Sequence, residues 1–244
     1  MKKFIYLFLA MMAPAVFSSC NDDDDITVVT SPTASGTVTD NEGNVYEWIR
    51  IGDLEWTTSN AKNGTPIYDY TYYNNFRYDY VQIKYGSEYE DEVDYIDNGY
   101  MPVYGNLLCY EEAVASAPEG WRLPTDEDWK ALERALGMTD ADNKGWRGTN
   151  GVASRLMATS ESGVGMGLKL GGGTVRVKSY GWMAMNLNTV TEYGYFWTST
   201  PDNSYGDVPM AYFRKLVSGV EGVERQCSHT DNLMSVRWCR NATN

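Results

Sequence analysis

This chain is poor in the residues that most often carry chemistry. Among 244 residues there is one histidine, His229, and four cysteines, at positions 20, 109, 227 and 239. His229 lies two residues from Cys227, which invites a metal or nucleophile reading, but no third ligand or base is spaced nearby. Ser228, Thr230, Asp231 and Asn232 make a polar turn the simpler account. Basic residues are scarce too: 20 Lys and Arg stand against 33 Asp and Glu, a formal charge of −13. Such a surface repels nucleic acid and anionic lipid, so neither is expected as a partner. Glycines crowd residues 163–173, yet no Gly-Lys-Ser/Thr ends that run and no Rossmann unit surrounds it. A structural loop is therefore expected there, not a phosphate cradle. The acidic residues from Glu88 to Asp97 match no EF-hand spacing. No cofactor and no metal are expected, and no catalytic triad is recognisable.

Hydrophobic runs long enough to cross a bilayer are also missing. The apolar stretch Phe4–Phe17 is too short to span with margin and, with Lys2 and Lys3 ahead of it, reads as a secretory signal. Phe17-Ser18-Ser19-Cys20 resembles a bacterial lipobox, in which Cys20 becomes the lipidated first residue. The alternative is an ordinary signal peptide cut nearby, with Cys20 incidental. Acyl chains contribute roughly 0.8 kcal/mol per buried methylene, so a multiply acylated cysteine anchors a protein durably to a membrane. Residues 1–19 are the expected signal peptide and 20–36 an acidic, flexible tether. Asp22 to Asp25 repel one another and bury nothing, and side chains that alternate along an extended chain do not enclose an ion. This run resembles the surface-export signal of lipoproteins from the Bacteroides phylum, which implies an outer-membrane, cell-surface location; in enteric bacteria an early Asp can instead mark inner-membrane retention.

What is present is enough for one core over residues 37–244. Hydrophobic residues make up 43% and aromatic residues 14% of the chain. The organising stretch is Gly120-Trp121-Arg122-Leu123-Pro124-Thr125-Asp126-Glu127-Asp128-Trp129. Pro124 keeps Leu123 extended, Thr125 is a good N-cap, and Asp128 can reach back to close a capping box. Trp129, Leu132 and Leu136 then recur on one helical face, and Gly137 ends the helix. Before it, Leu107–Ala117 reads as another helix, with Leu108, Ala113 and Val114 on its apolar side and Glu111 and Glu112 exposed. Asp40–Asn44 is a turn by composition, flanked by an opening hairpin, and Ala141–Gly151 is a turn-rich link containing Trp146. Strands are expected at 175–177, 193–199, 210–217, 223–227 and 234–240.

The segment from Tyr68 to Tyr104 holds eleven of the nineteen tyrosines. One reading is a decorated loop covering the core. The other is a contact surface, because tyrosine presents a flat apolar face and a hydroxyl at low entropic cost. On the second reading Tyr70, Tyr72, Tyr73, Tyr78 and Tyr80 are the candidate ligand-binding residues. Cys227 and Cys239, on strands joined by a short connection, are a candidate disulfide. Free buried thiols are the alternative, since cross-strand bridges need close Cβ atoms.

The Gly-Trp-Arg-Leu-Pro-Thr stretch with its following Asp-Glu-Asp-Trp resembles the central motif of the Fibrobacter succinogenes major paralogous domain. Seven further segments resemble it in the same order: Val38–Tyr46, Ile51–Trp56, Tyr104–Leu107, Ser162-Gly163, Gly194–Thr200, Ala211–Arg214 and Ser235–Arg237. That domain in turn resembles the formylglycine-generating-enzyme and C-type-lectin-like superfamily. The resemblance implies an α+β, C-type-lectin-like domain: two helices packed on short antiparallel sheets, with long loops. The family often carries cysteines where this chain has Ala117 and Trp238, so its usual staple is expected to be absent.

Three functions remain to be weighed. The first is a non-enzymatic, surface-tethered binding or adhesion module for a carbohydrate or protein ligand. The Glu-Pro-Asn, Gln-Pro-Asp and Trp-Asn-Asp motifs of calcium-dependent lectins do not occur, which argues against calcium-dependent sugar binding. The second is a structural component of a surface or fimbrial assembly. The third is an enzyme of formylglycine-generating type, disfavoured because Cys227 and Cys239 are not a closely spaced redox or copper-binding pair.

Overall fold

The computed structural model describes residues 28–65, 88–89, 94–177, 182–185 and 189–243. Strands β1 (Ser35–Thr39), β2 (Val45–Ile51) and β3 (Leu54–Thr57) open the fold. A π-helical stretch, Tyr95–Tyr100, runs into α1 (Met101–Tyr104), followed by α2 (Tyr110–Ala115) and α3 (Asp126–Ala135). Then come β4 (Gly145–Arg147), α4 (Val152–Met157), β5 (Thr174–Val177), β6 (Trp182–Met185), β7 (Tyr193–Pro201), β8 (Met210–Val217), β9 (Val223–His229) and β10 (Cys239–Asn241). One four-stranded sheet runs β1-β2-β3-β10 and another β4-β9-β8-β7, both antiparallel throughout, and β5 pairs with β6. Short helices against two antiparallel sheets make this an α+β fold. No helix among the described residues is long and apolar enough to cross a membrane.

Local chemistry sets these boundaries. At the β1–β2 turn the Asp40 carboxylate accepts from the amides of Glu42 and Asn44, and Gly43 takes a φ of 87° that other residues rarely adopt. Thr125 caps α3: its hydroxyl accepts from the Asp128 amide at 3.1 Å, and Asp128 Oδ2 accepts from the Thr125 amide at 2.6 Å. This is the capping box that the spacing predicts. Gly137, at a φ of 94°, ends the helix, its amide donating to Arg134 O.

Two expected elements are shorter than periodicity suggests. The helix predicted over 107–117 forms only at 110–115, because Leu108 exchanges backbone hydrogen bonds with Met234 and so must be extended. Val114 consequently faces solvent, and Glu112 turns back to accept from the Cys109 amide. The strand predicted over 234–240 pairs as a ladder only at 239–241. Its earlier residues change partners one by one: Met234 bridges Leu108, Ser235 bridges Phe196, and Trp238 O accepts from the Thr57 amide. Conversely, the turn-rich link over 141–151 contains the short strand β4, which pairs with β9.

The core forms on both faces of β7, since successive side chains of a strand point to opposite sides. Phe196 packs with Trp56, Trp129, Leu132, Leu136 and Leu216. Its neighbour Trp197 packs with Trp121, Leu123, Phe213, Val236 and Trp238. Trp129 joins the halves, meeting Trp56 edge-on at 5.2 Å between centroids and donating from its indole to Trp197 O at 3.3 Å. Trp238 is fully buried in the second cluster and Ala117 packs against that same cluster.

Candidate functional site

Strand register builds an open groove. Thr37 stands opposite Glu47 and Ser35 opposite Ile49 on β1 and β2, so these side chains share one face. Thr58, whose amide donates to Glu47 O at 2.9 Å, continues the row just past β3. Gly36 and Trp48, the alternate pair, belong to the other face. There the indole lies flat over Gly36, where a Cβ would come within 2.6 Å of the ring, so glycine is required for that approach. The Arg240 guanidinium stacks on the same aromatic face, 5.4 Å from the Trp48 centroid and 4.7 Å from that of Trp121. Facing the Thr37–Glu47–Thr58 row, the turn after α4 brings up Thr159 and Ser160, and the glycine-rich loop Gly165, Gly167 and Lys169. The space between the walls is about 600 Å³.

Arg237 holds that loop in place. It is fully buried: Nε donates to Asn60 Oδ1 at 2.6 Å, Nη1 to Thr57 O at 2.9 Å and Met166 O at 2.8 Å, and Nη2 to Gly167 O at 2.9 Å. Burial pulls its pKa down to about 9, and four oxygen acceptors replace part of the lost hydration. Through this one side chain the end of β3 and the glycine-rich loop are tied together. The expectation of a structural loop at 163–173 therefore acquires a physical reason.

A second charged centre lies under α3. Arg214 and Arg225 are directly opposite each other on β8 and β9, where two cations repel. The Asp126 carboxylate enters between them, accepting from Arg214 Nη1 at 2.7 Å and from Arg225 Nη2 at 2.6 Å. Two turns further along the same face of the helix, Glu133 accepts from Arg147 Nη1 and Nη2, each at 2.9 Å, and from Arg214 Nε at 2.6 Å. Burial alone would push the Asp126 carboxyl up; the hydrogen bonds and charges of Arg225 and Arg214 outweigh it and hold the group well below its usual range. All these groups are engaged by one another, so the centre is a scaffold that seats α3 on the sheet. A carboxylate in the first turn of a helix also meets the positive end of the dipole, which by itself requires no burial. The seven-residue spacing from Asp126 to Glu133, on the Trp129 side, is the mark of burial that the sequence carries.

Two of the three described thiols are poorly placed for chemistry. Burial raises the pKa of Cys109 and, more strongly, of Cys239, so both are held as neutral thiols that are weak nucleophiles. Cys227 and Cys239 lie in different sheets, Cys227 opposite Tyr212 and Cys239 opposite Trp56, and both are free. The candidate disulfide between them is thus corrected: the short connection leads from one sheet to the other instead of forming a hairpin. His229 ends β9, half-buried, its Nδ1 accepting from the Asp231 amide at 3.2 Å. Among the described residues no group of three His, Cys, Asp or Glu is placed to hold a metal ion.

Cys20 and the five candidate contact residues Tyr70, Tyr72, Tyr73, Tyr78 and Tyr80 lie outside the described residues. The insert's described tyrosines behave as core. Tyr95 and Tyr100 are buried with Ile96, Leu107, Val190 and Leu233, and the Tyr100 hydroxyl donates to Gly171 O at 2.5 Å.

Comparison with known families places this architecture. The model of the Fibrobacter succinogenes major domain matches residues 49–240, most of the chain. The chain belongs to this family. No curated protein and no solved structure matches it. Within the Fibrobacter succinogenes major domain fall α3, the Arg237 anchor and the glycine-rich wall of the groove, whereas β1 and the first residues of β2 precede the matched range.

Proposed function

We propose that this protein is a lipid-anchored, non-enzymatic binding or adhesion module of the bacterial cell surface, with a C-type-lectin-like domain held outward by an acidic tether. The observation that carries the reading is the groove: a solvent-open space of about 600 Å³ lined by both polar and apolar residues, beside a charged centre whose carboxylates are held by arginines of the same core. Clefts of roughly 300–1,000 Å³ are the usual size for small-ligand sites. The lipobox-like ending at Cys20 and the Asp22–Asp25 run support anchoring at the outer membrane and exposure outside it. The finer fold assignment rests on the motif resemblance and is supported by the packing of short helices on two antiparallel sheets. The neutral state of Cys109 and Cys239 favours binding over thiol chemistry.

A second reading, a structural part of a surface or fimbrial assembly, is favoured by one feature. Strand β1 is an edge, paired only with β2 among the described strands, and an open edge can accept another chain. Cells displaying the full chain and cells lacking it can be compared for retention on carbohydrate-coated and protein-coated surfaces, with cross-linking on the same cells. Selective retention is expected. Equal retention, with the chain cross-linked stoichiometrically to other envelope proteins, would replace the binding module by the assembly component.

A further inference from the structure

The groove between the β1–β2 face and the glycine-rich loop contains charged groups that the protein itself leaves unused. Lys169 is, among the described cationic side chains, the one with no hydrogen bond, ion pair or ring contact, even though the chain carries 33 acidic residues against 20 basic ones. Glu47, on the facing wall, likewise has a carboxylate without a partner. An exposed ion pair would contribute little to the fold, so both exposed groups stay available to a ligand. We propose that this groove is the binding site for a neutral oligosaccharide, with Lys169 and Glu47 as its two orienting groups. The proposal rests on the binding-module reading and gives it a place and a ligand class.

Three features of the groove select that class. First, Thr37 and Thr58 line one wall and Thr159 and Ser160 the other, so both walls carry hydroxyl residues. Thr58 Oγ1 also donates to Glu47 O at 3.3 Å and Thr159 Oγ1 lies 3.3 Å from Ser162 Oγ, which leaves each with further hydrogen-bonding capacity. Each hydroxyl donates and accepts, as each sugar hydroxyl does, and a chain of such groups can satisfy both walls together. Second, Glu47 only accepts and Lys169 only donates, which fixes which edge of a sugar ring turns to which wall. Their opposite charges cancel locally, and the formal charge of −13 on the whole chain disfavours a polyanion. Third, Ile49 and Val164 lie at the base of the groove, giving the C–H face of a ring an apolar surface. The Trp48 indole belongs to the opposite face, so stacking on it is not part of this site.

The test uses the full chain in detergent. It is screened against neutral oligosaccharides, acidic oligosaccharides and uncharged extended peptides, and the best neutral oligosaccharide is then titrated calorimetrically. Glu47→Gln, Lys169→Met and the groove-filling Ser160→Trp are titrated alongside, with melting temperatures recorded for each. Neutral oligosaccharides should bind, and each variant should weaken binding at least about tenfold, with the melting temperature unchanged to within a degree or so. Preference for acidic sugars or peptides, lost in the same variants, would overturn the ligand class. Binding that all three variants leave intact would overturn the groove while sparing the binding-module reading. Absence of binding to any probe, together with equal surface retention of cells with and without the chain, would sink both.

Discussion

Asp126 and Arg214 meet across 88 residues of chain: Nη1 donates to Oδ1 at 2.7 Å, and Nη2 donates to the backbone carbonyl of the same aspartate at 3.2 Å. The arginine thereby grips both the side chain and the first turn of α3. With Arg225 and Glu133 it makes the orientation of the helix on the sheet a matter of charge pairing as well as of apolar packing.

Breaking that grip should be expensive in stability. Arg214→Met leaves the buried Asp126 and Glu133 each short of a donor, and removing one partner of a buried pair costs about 3–5 kcal/mol. Urea unfolding should show a much lower midpoint with an unchanged slope. A loss under about 1 kcal/mol would mean that Arg225 and Arg147 suffice to neutralise the two carboxylates.

Acid should weaken the fold through identifiable carboxylates. In Asp126, Asp128 and Glu55 burial pushes the pKa up, but hydrogen bonds from Arg225 and Arg214, from Arg122, and from Arg50 and Arg240 respectively bring each below its ordinary value. The native state then binds fewer protons than the unfolded chain, so their contribution is complete above the unfolded values of about 4 and is lost as pH falls through the folded ones. Urea midpoints taken from about pH 6 down to about pH 2 should decline steadily. Asp126→Asn should start lower and decline less; a parallel decline would assign the acid sensitivity elsewhere.

Trp129→Ala removes the side chain that touches both halves of the core. It is fully buried against Trp56 and Phe196, and truncation of a buried aromatic costs about 3–5 kcal/mol. A sharp fall in melting temperature, or failure to fold, is the expected result. A shift of only a degree or two would show that α3 docks by another face.

The tyrosines should separate into two classes. Tyr100→Phe deletes the donor to Gly171 O and should cost about 1 kcal/mol without changing surface binding. Replacing Tyr70, Tyr72, Tyr73, Tyr78 and Tyr80 in groups by Ser should leave the melting temperature nearly unchanged and weaken binding. If those replacements unfold the protein, the whole insert is cladding.

Anchoring has its own test. Cys20→Ser should release the chain from the membrane fraction, because the acyl chains go with the thiol. A variant that stays in the membrane pellet after a carbonate wash would place the anchor elsewhere.

What could be read in the chain was what neighbours in sequence decide among themselves. The Thr125–Asp128 capping box, the Gly137 stop, the Asp40–Asn44 turn and the burial of Trp129, Leu132 and Leu136 all depend on contacts a few residues apart, and a helix or turn displays those in its spacing. The Gly120–Trp129 motif also carried the family. Tertiary structure alone decided where the charges went. Asp126 looks like a dipole-serving residue until β8 and β9 come into register and set Arg214 beside Arg225, with 88 and 99 residues separating the aspartate from its two partners. The same holds for Cys227 and Cys239, close in sequence but parted by the step from one sheet to the other. In the groove, Arg237 ties the glycine-rich loop to the end of β3 across 70 and 180 residues of chain. A guanidinium binds whichever oxygens the fold delivers to it, and no spacing along the chain records which those are.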